Sequence, residues 1–101
     1  MNLDANLTRR EHQRRQHLVR SRLMVGALWH ETRLADMSVG GAKLEVDAEF
    51  AEGSEVWLEL GQFGKVRGEI VWQRGGTVGV HFLHDPAEVA EIIMGMATYG
   101  Y

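Results

Sequence analysis

The chain contains no cysteine. That removes disulfides, thiolate metal sites and thiol nucleophiles together. No apolar run approaches the length of a bilayer-spanning helix, and the N-terminus lacks the apolar stretch of a secretory signal, so a soluble cytoplasmic protein is expected. A Gly-x-Ser-x-Gly elbow is missing, and no Gly-Lys-Ser/Thr follows Gly61 and Gly64, so neither a hydrolase nucleophile nor a phosphate loop is indicated. The five histidines (His12, His17, His30, His81, His84) never take the i, i+4 spacing of a helical metal site. His81 and His84 flank a strand end, which is a weak signal for a metal site. Ser38 has only Asp36 as a local acid. The sequence therefore reads as a binding protein rather than an enzyme, with no metal and no cofactor expected.

What is present fits one compact unit. A chain of 101 residues has room for one domain and one core, and an apolar fraction of 45% is enough to fill it. The net charge of −3 conceals an asymmetry: residues 1–22 hold six arginines against Asp4 and Glu11, a local +4, leaving −7 on the remainder. An acidic body repels a nucleic-acid backbone over most of its surface, whereas one basic arm suits a small anionic ligand. Residues 1–16 are polar, and a helix over 9–16 would have no apolar face to bury, so the arm is expected to be flexible without ligand.

From Leu18 to Leu83 the pattern has period two, as strands with one buried face require. Leu23, Val25 and Ala27 share a face, as do Leu34 and Asp36, then Ala42, Leu44 and Val46. Val56, Leu58 and Leu60 follow, then Val66, Gly68, Ile70 and Trp72, and last Val78, Val80 and Phe82. Turn signals fall at His30-Glu31, Gly40-Gly41, Glu52-Gly53-Ser54, between Gly61 and Gly64, and at Gly75-Gly76. Six short strands without intervening helices predict an all-β fold, a six-stranded antiparallel barrel over 17–84, because closure removes exposed edges. Asp85, Pro86 and Glu88 supply an N-cap, a first-turn proline and a capping-box partner. They open a short terminal helix over 85–97, with Val89, Ile92, Ile93 and Met96 on one stripe that packs on the barrel or a partner subunit.

Two clusters carry the chemistry. The arm holds Arg9, Arg10, Arg14 and Arg15, whose planar guanidinium groups match phosphate oxygens and guanine edges and stack on bases. Asp36, Ser38 and Gly41 form an Asp-x-Ser-x-x-Gly turn, which local turn chemistry explains equally well when it is taken alone. Together, Arg10 and Arg14 separated by three residues and then Asp36, Ser38 and Gly41 resemble the signature of the PilZ domain. The strands Ile70-Val71-Trp72 and Val78-Gly79-Val80-His81-Phe82 look like the last two barrel strands of that family, and the resemblance covers residues 9–97.

The resemblance implies a receptor for cyclic di-GMP. Arg10 and Arg14 would clamp phosphate and guanine, Asp36 and Ser38 would bind the guanine edge and nearby backbone, and Gly41 would give the ligand room. Arg9 implies a stacked pair of ligands, its guanidinium offsetting the extra phosphates. Trp72 falls where some relatives present a residue to the ligand, although alternation sets it in the core with Val66 and Ile70. So short a chain would pass the signal to an unidentified downstream protein through its surface. The main alternative is a small barrel that binds single-stranded nucleic acid, using the basic arm and stacking on Trp29, Trp57 and Trp72. A ligand-independent adaptor is a third, which the arginines disfavour.

Overall fold

A computed structural model describes residues 20–99; the arm, with Arg9, Arg10 and Arg14, lies outside the described residues. Six antiparallel strands, β1 (Arg20–Val25), β2 (Leu28–Met37), β3 (Gly41–Val46), β4 (Glu55–Glu59), β5 (Lys65–Arg74) and β6 (Thr77–Phe82), precede one helix, α1 (Pro86–Thr98). Around the barrel the order is β1-β2-β3-β6-β5-β4, and β4 pairs with β1 to close it. The expected six-stranded antiparallel barrel with a terminal helix is what the chain forms.

Alternation explains most of the interior. Leu23, Leu44, Leu58, Val66, Ile70 and Val78 point inward and are fully shielded from solvent. Each such side chain contributes about 1.5–3 kcal/mol relative to exposure. Ser21, in phase with Leu23, is also buried; its hydroxyl donates to the Thr32 carbonyl at 3.0 Å and lies 2.8 Å from the Thr32 hydroxyl. That pairing satisfies the polar atoms that burial would otherwise penalise.

Three expectations about the strands need correction. The first turn is at Gly26-Ala27, not His30-Glu31: Val25 pairs with Leu28, and Gly26 has φ +62°, the left-handed backbone that two-residue hairpins favour. Ala27 therefore sits in the turn and is exposed. His30 lies inside β2, its ring edge-on to Phe50 at 5.0 Å, so an aromatic neighbour covers what reads in sequence as loop polarity.

The second and third corrections share one cause. The β2–β3 register shifts between Leu34 and Asp36, and the β5–β6 register shifts between Ile70 and Trp72. A bulge sets one extra residue on one strand and reverses the facing beyond it. Leu34 and Ile70 remain inside, while Asp36 and Trp72, which strict alternation would bury with them, pair with Lys43 and Gly79 on the outer surface.

The helix begins as its sequence implies. Asp85 caps it, one carboxylate oxygen accepting from the Ala87 N–H at 2.9 Å, with Pro86 in the first turn. The Glu88 carboxylate turns instead to His84 Nε2 at 3.3 Å. Val89 and Met96 are buried, Ile92 and Ile93 pack against the core, and Phe63 of the β4–β5 connection meets Tyr99 edge-on at 5.6 Å. The apolar stripe thus lies over one end of the barrel.

Candidate ligand-binding site

The two bulges bring separate strands into a single row. Asp36 on β2 faces Lys43 on β3, Lys43 faces Gly79 on β6, and Gly79 faces Trp72 on β5. Directly opposed residues share a face of the sheet. Lys43 lies between buried Ala42 and Leu44, and Gly79 between buried Val78 and Val80, so that face is the outer one.

A concavity of about 230 Å³ opens over this row, lined by Asp36, Ser38, Gly41, Lys43, Trp72, Gly79 and their neighbours. Asp36, Ser38 and Gly41, singled out in the sequence as one motif, therefore come together with Trp72 from a distant strand. Arg9, Arg10 and Arg14 are outside the described residues.

Local bonding shapes the β2–β3 turn while leaving groups available. One Asp36 carboxylate oxygen accepts from the Met37 N–H at 2.9 Å. The Ser38 N–H donates to the Gly41 carbonyl at 2.9 Å, and the Gly40 N–H donates to the Ser38 hydroxyl oxygen at 3.3 Å. The ordinary turn chemistry of Asp and Ser is thus present. It still leaves the second Asp36 oxygen as an acceptor and the Ser38 O–H as a donor. Both residues are exposed beside the concavity.

Gly41 and Gly79 have structural reasons to be glycine. A Cβ on Gly41 would overlap the Val80 carbonyl oxygen, because β6 runs against it. Close approach of a neighbouring backbone therefore requires glycine here, whatever binds outside. A Cβ on Gly79 would overlap the indole of Trp72 at Nε1 and Cε2. Gly79 is covered by that ring, which lies across its strand, half-buried and outside the core cluster.

A second concavity, about 570 Å³, lies along Glu31, Arg33, Glu45, Asp47 and Thr77. It is the larger, but its chemistry suits an anion poorly: Arg33 is 3.5 Å from Glu45, and further carboxylates flank the pair. Volume alone does not choose a site; the side chains do.

The tryptophans do not form one platform. Trp29 and Trp57 both pair with Met24 on the outer faces of β2, β1 and β4, and they are 40% and 37% exposed. The Arg22 guanidinium sits 4.8 Å from the Trp29 ring centre and the Lys65 ammonium 6.0 Å from that of Trp57. Trp72 lies elsewhere, across Gly79. The three rings therefore lie on two separate parts of the surface, which counts against a single stacking platform for the nucleic-acid alternative. His84 accepts from the Arg67 N–H at 3.3 Å through Nδ1 and faces Glu88 through Nε2, and among the described residues no group of three or more His, Cys, Asp or Glu side chains is placed to hold a metal. No helix among the described residues is long and apolar enough to cross a membrane.

Lys43 and Gly79 are the site residues that sequence reasoning missed as such. Neither belongs to the arginine pair or the Asp-x-Ser-x-x-Gly turn; a glycine inside a strand marks a close approach of some kind, but only the strand order places Lys43 and Gly79 between Asp36 and Trp72.

None of the curated proteins compared matches the chain. The model of the PilZ domain matches residues 8–97, a span that includes the arginines of the arm, the whole barrel and nearly all of α1. With the expected barrel, its C-terminal helix and Asp36, Ser38 and Gly41 gathered on one outer surface, the chain belongs to the PilZ domain family, a family of cyclic di-GMP receptors.

Proposed function

We propose that the protein binds cyclic di-GMP on the outer surface of β2, β3, β6 and β5 and that the arginine-rich arm closes over the ligand. The observation that carries this reading is the convergence of Asp36, Ser38, Gly41 and Trp72 on one concavity, although the first three and the last come from strands far apart in sequence. A carboxylate acceptor suits the N–H edge of guanine, a hydroxyl can donate to it, and an indole face suits its π surface. The concavity is smaller than the roughly 300–1,000 Å³ of most small-molecule sites. Arg10 and Arg14, entering β1 from its N-terminal side, supply the remaining wall and the charge for phosphate.

Arg9 extends the reading to stoichiometry. A third guanidinium offsets the phosphates of a second molecule, so two ligands bind per chain as a stacked pair. Titration calorimetry with cyclic di-GMP tests both levels. Saturation at two ligands per chain is expected; a clean endpoint at one, with fully active protein, overturns the stacked pair, and no heat of binding overturns the receptor.

The signal follows from the arm. Residues 1–16 offer no apolar stripe to hold them on the barrel, and ordering them costs about 1–2 kcal/mol per backbone residue fixed. Ligand contacts offset that cost, so binding converts a cationic tail into a folded, partly neutralised surface that a downstream protein reads. Amide hydrogen exchange of residues 6–16 is expected to slow strongly on ligand addition. Strong protection already present in the free protein would mean a docked arm and rule out signalling by ordering.

A further inference from the structure

Lys43 is the one cation among the described residues that lines the concavity. It is exposed, and among the described residues it forms no ion pair, whereas Arg22, Arg33 and Arg67 are paired with Glu59, Glu45 and Glu55. Lys65 is occupied over Trp57. Lys43 is therefore uncommitted at the centre of the row, with Asp36 on one side and the Gly79–Trp72 pair on the other.

The charge of the site makes that position informative. Without Lys43, the only charge that the described part of the site would present to an approaching phosphodiester is the carboxylate of Asp36, on a body that is acidic beyond residue 22. Directly opposed side chains have Cβ atoms ~5 Å apart, and a lysine stem carries its ammonium beyond a short aspartate. An ammonium there offsets the Asp36 charge toward phosphate while leaving the carboxylate free to accept from base N–H groups.

We infer that Lys43 is a ligand-binding residue, holding a phosphate of the nucleotide from the barrel surface. The inference rests on the proposed cyclic di-GMP site and adds to it an anchor that belongs to the barrel rather than the arm. A lysine ammonium acts here as a point charge with rotatable donors, so arginine substitutes for it and a neutral side chain does not.

The experiment is equilibrium binding of cyclic di-GMP to the full chain at low and high salt, for the wild type and for Lys43→Gln, Lys43→Arg, Lys65→Gln and Ser38→Ala. Lys43→Gln is expected to weaken binding roughly tenfold, the size of one charge-assisted contact. It should also show a smaller loss of affinity with added salt, because one screened attraction is gone. Lys43→Arg should stay within about threefold of the wild type, and Lys65→Gln, with the same charge change on β5 beside Trp57, should match the wild type. Thermal melting of each variant checks that the barrel is intact. Equal weakening by Lys43→Gln and Lys65→Gln would mean a general charge effect and overturn the assignment. Wild-type affinity in Lys43→Gln alongside weakened Ser38→Ala would overturn Lys43 alone; no binding by the wild type would overturn the site itself.

Discussion

Alanine at both Arg10 and Arg14 is expected to lower the affinity for cyclic di-GMP by a hundredfold or more without changing the melting temperature of the barrel. Each guanidinium makes charge-assisted, bidentate contacts worth about 1.5–3 kcal/mol. Two of them correspond to roughly 10²–10⁴ in the dissociation constant, reduced if they share one phosphate. Each single variant should lose about ten- to a hundredfold. Stability should not follow, because both side chains are charged, whereas the core of the described residues is built from apolar side chains between Leu23 and Met96. Arg33→Ala is the matched control. Its side chain is 62% exposed and lies 3.5 Å from Glu45, an exposed pair worth at most about 1 kcal/mol to the fold. Affinity within about twofold of the wild type is expected for it. Equal loss in all three variants would show a diffuse response to positive charge and remove the arm from the site.

The contrast between arm and barrel also shows what a sequence can and cannot carry. Period-two alternation locates strands because each strand chooses its own buried face, and Leu44, Leu58 and Val78 fall inside as that rule requires. The cap at Asp85 is legible for the same reason: its chemistry is local. Asp36 and Trp72 are different. Their facing depends on a register shift between two strands, and nothing within Leu34-Ala35-Asp36 or Ile70-Val71-Trp72 records which strand will lie beside it. The signature identified Asp36 and Ser38 as site residues, but the physical route by which they reach an outer surface is tertiary. Lys43 and Gly79 show the same limit more sharply: the β2-β3-β6-β5 order alone gives them a place in the row. The turn at Gly26-Ala27 was readable in principle, since a glycine between two apolar runs signals a tight hairpin; the polar pair His30-Glu31 is a competing signal of similar strength.

Gly79→Val is expected to reduce affinity by about ten- to a hundredfold while leaving the barrel folded. The new side chain would occupy the volume now filled by the Trp72 indole, which must swing away because the strand backbone cannot. Base–aromatic stacking is worth about 1–3 kcal/mol, and that contact is what the displaced ring gives up. Stability is held by opposing effects: the indole loses its cover over β6, but a β-branched residue replaces glycine in a strand interior, where glycine is unfavourable. The two explanations of Trp72 separate in a double-mutant cycle. If the ring acts by stacking on the ligand, Trp72→Ala and Gly79→Val weaken binding by similar factors, and the double variant is no worse than Trp72→Ala alone. If the ring only shields the backbone at Gly79, both variants lower the melting temperature and bind as the wild type does. Titrations of the three variants, read beside their thermal melts, decide between a ligand platform and a lid over the strand.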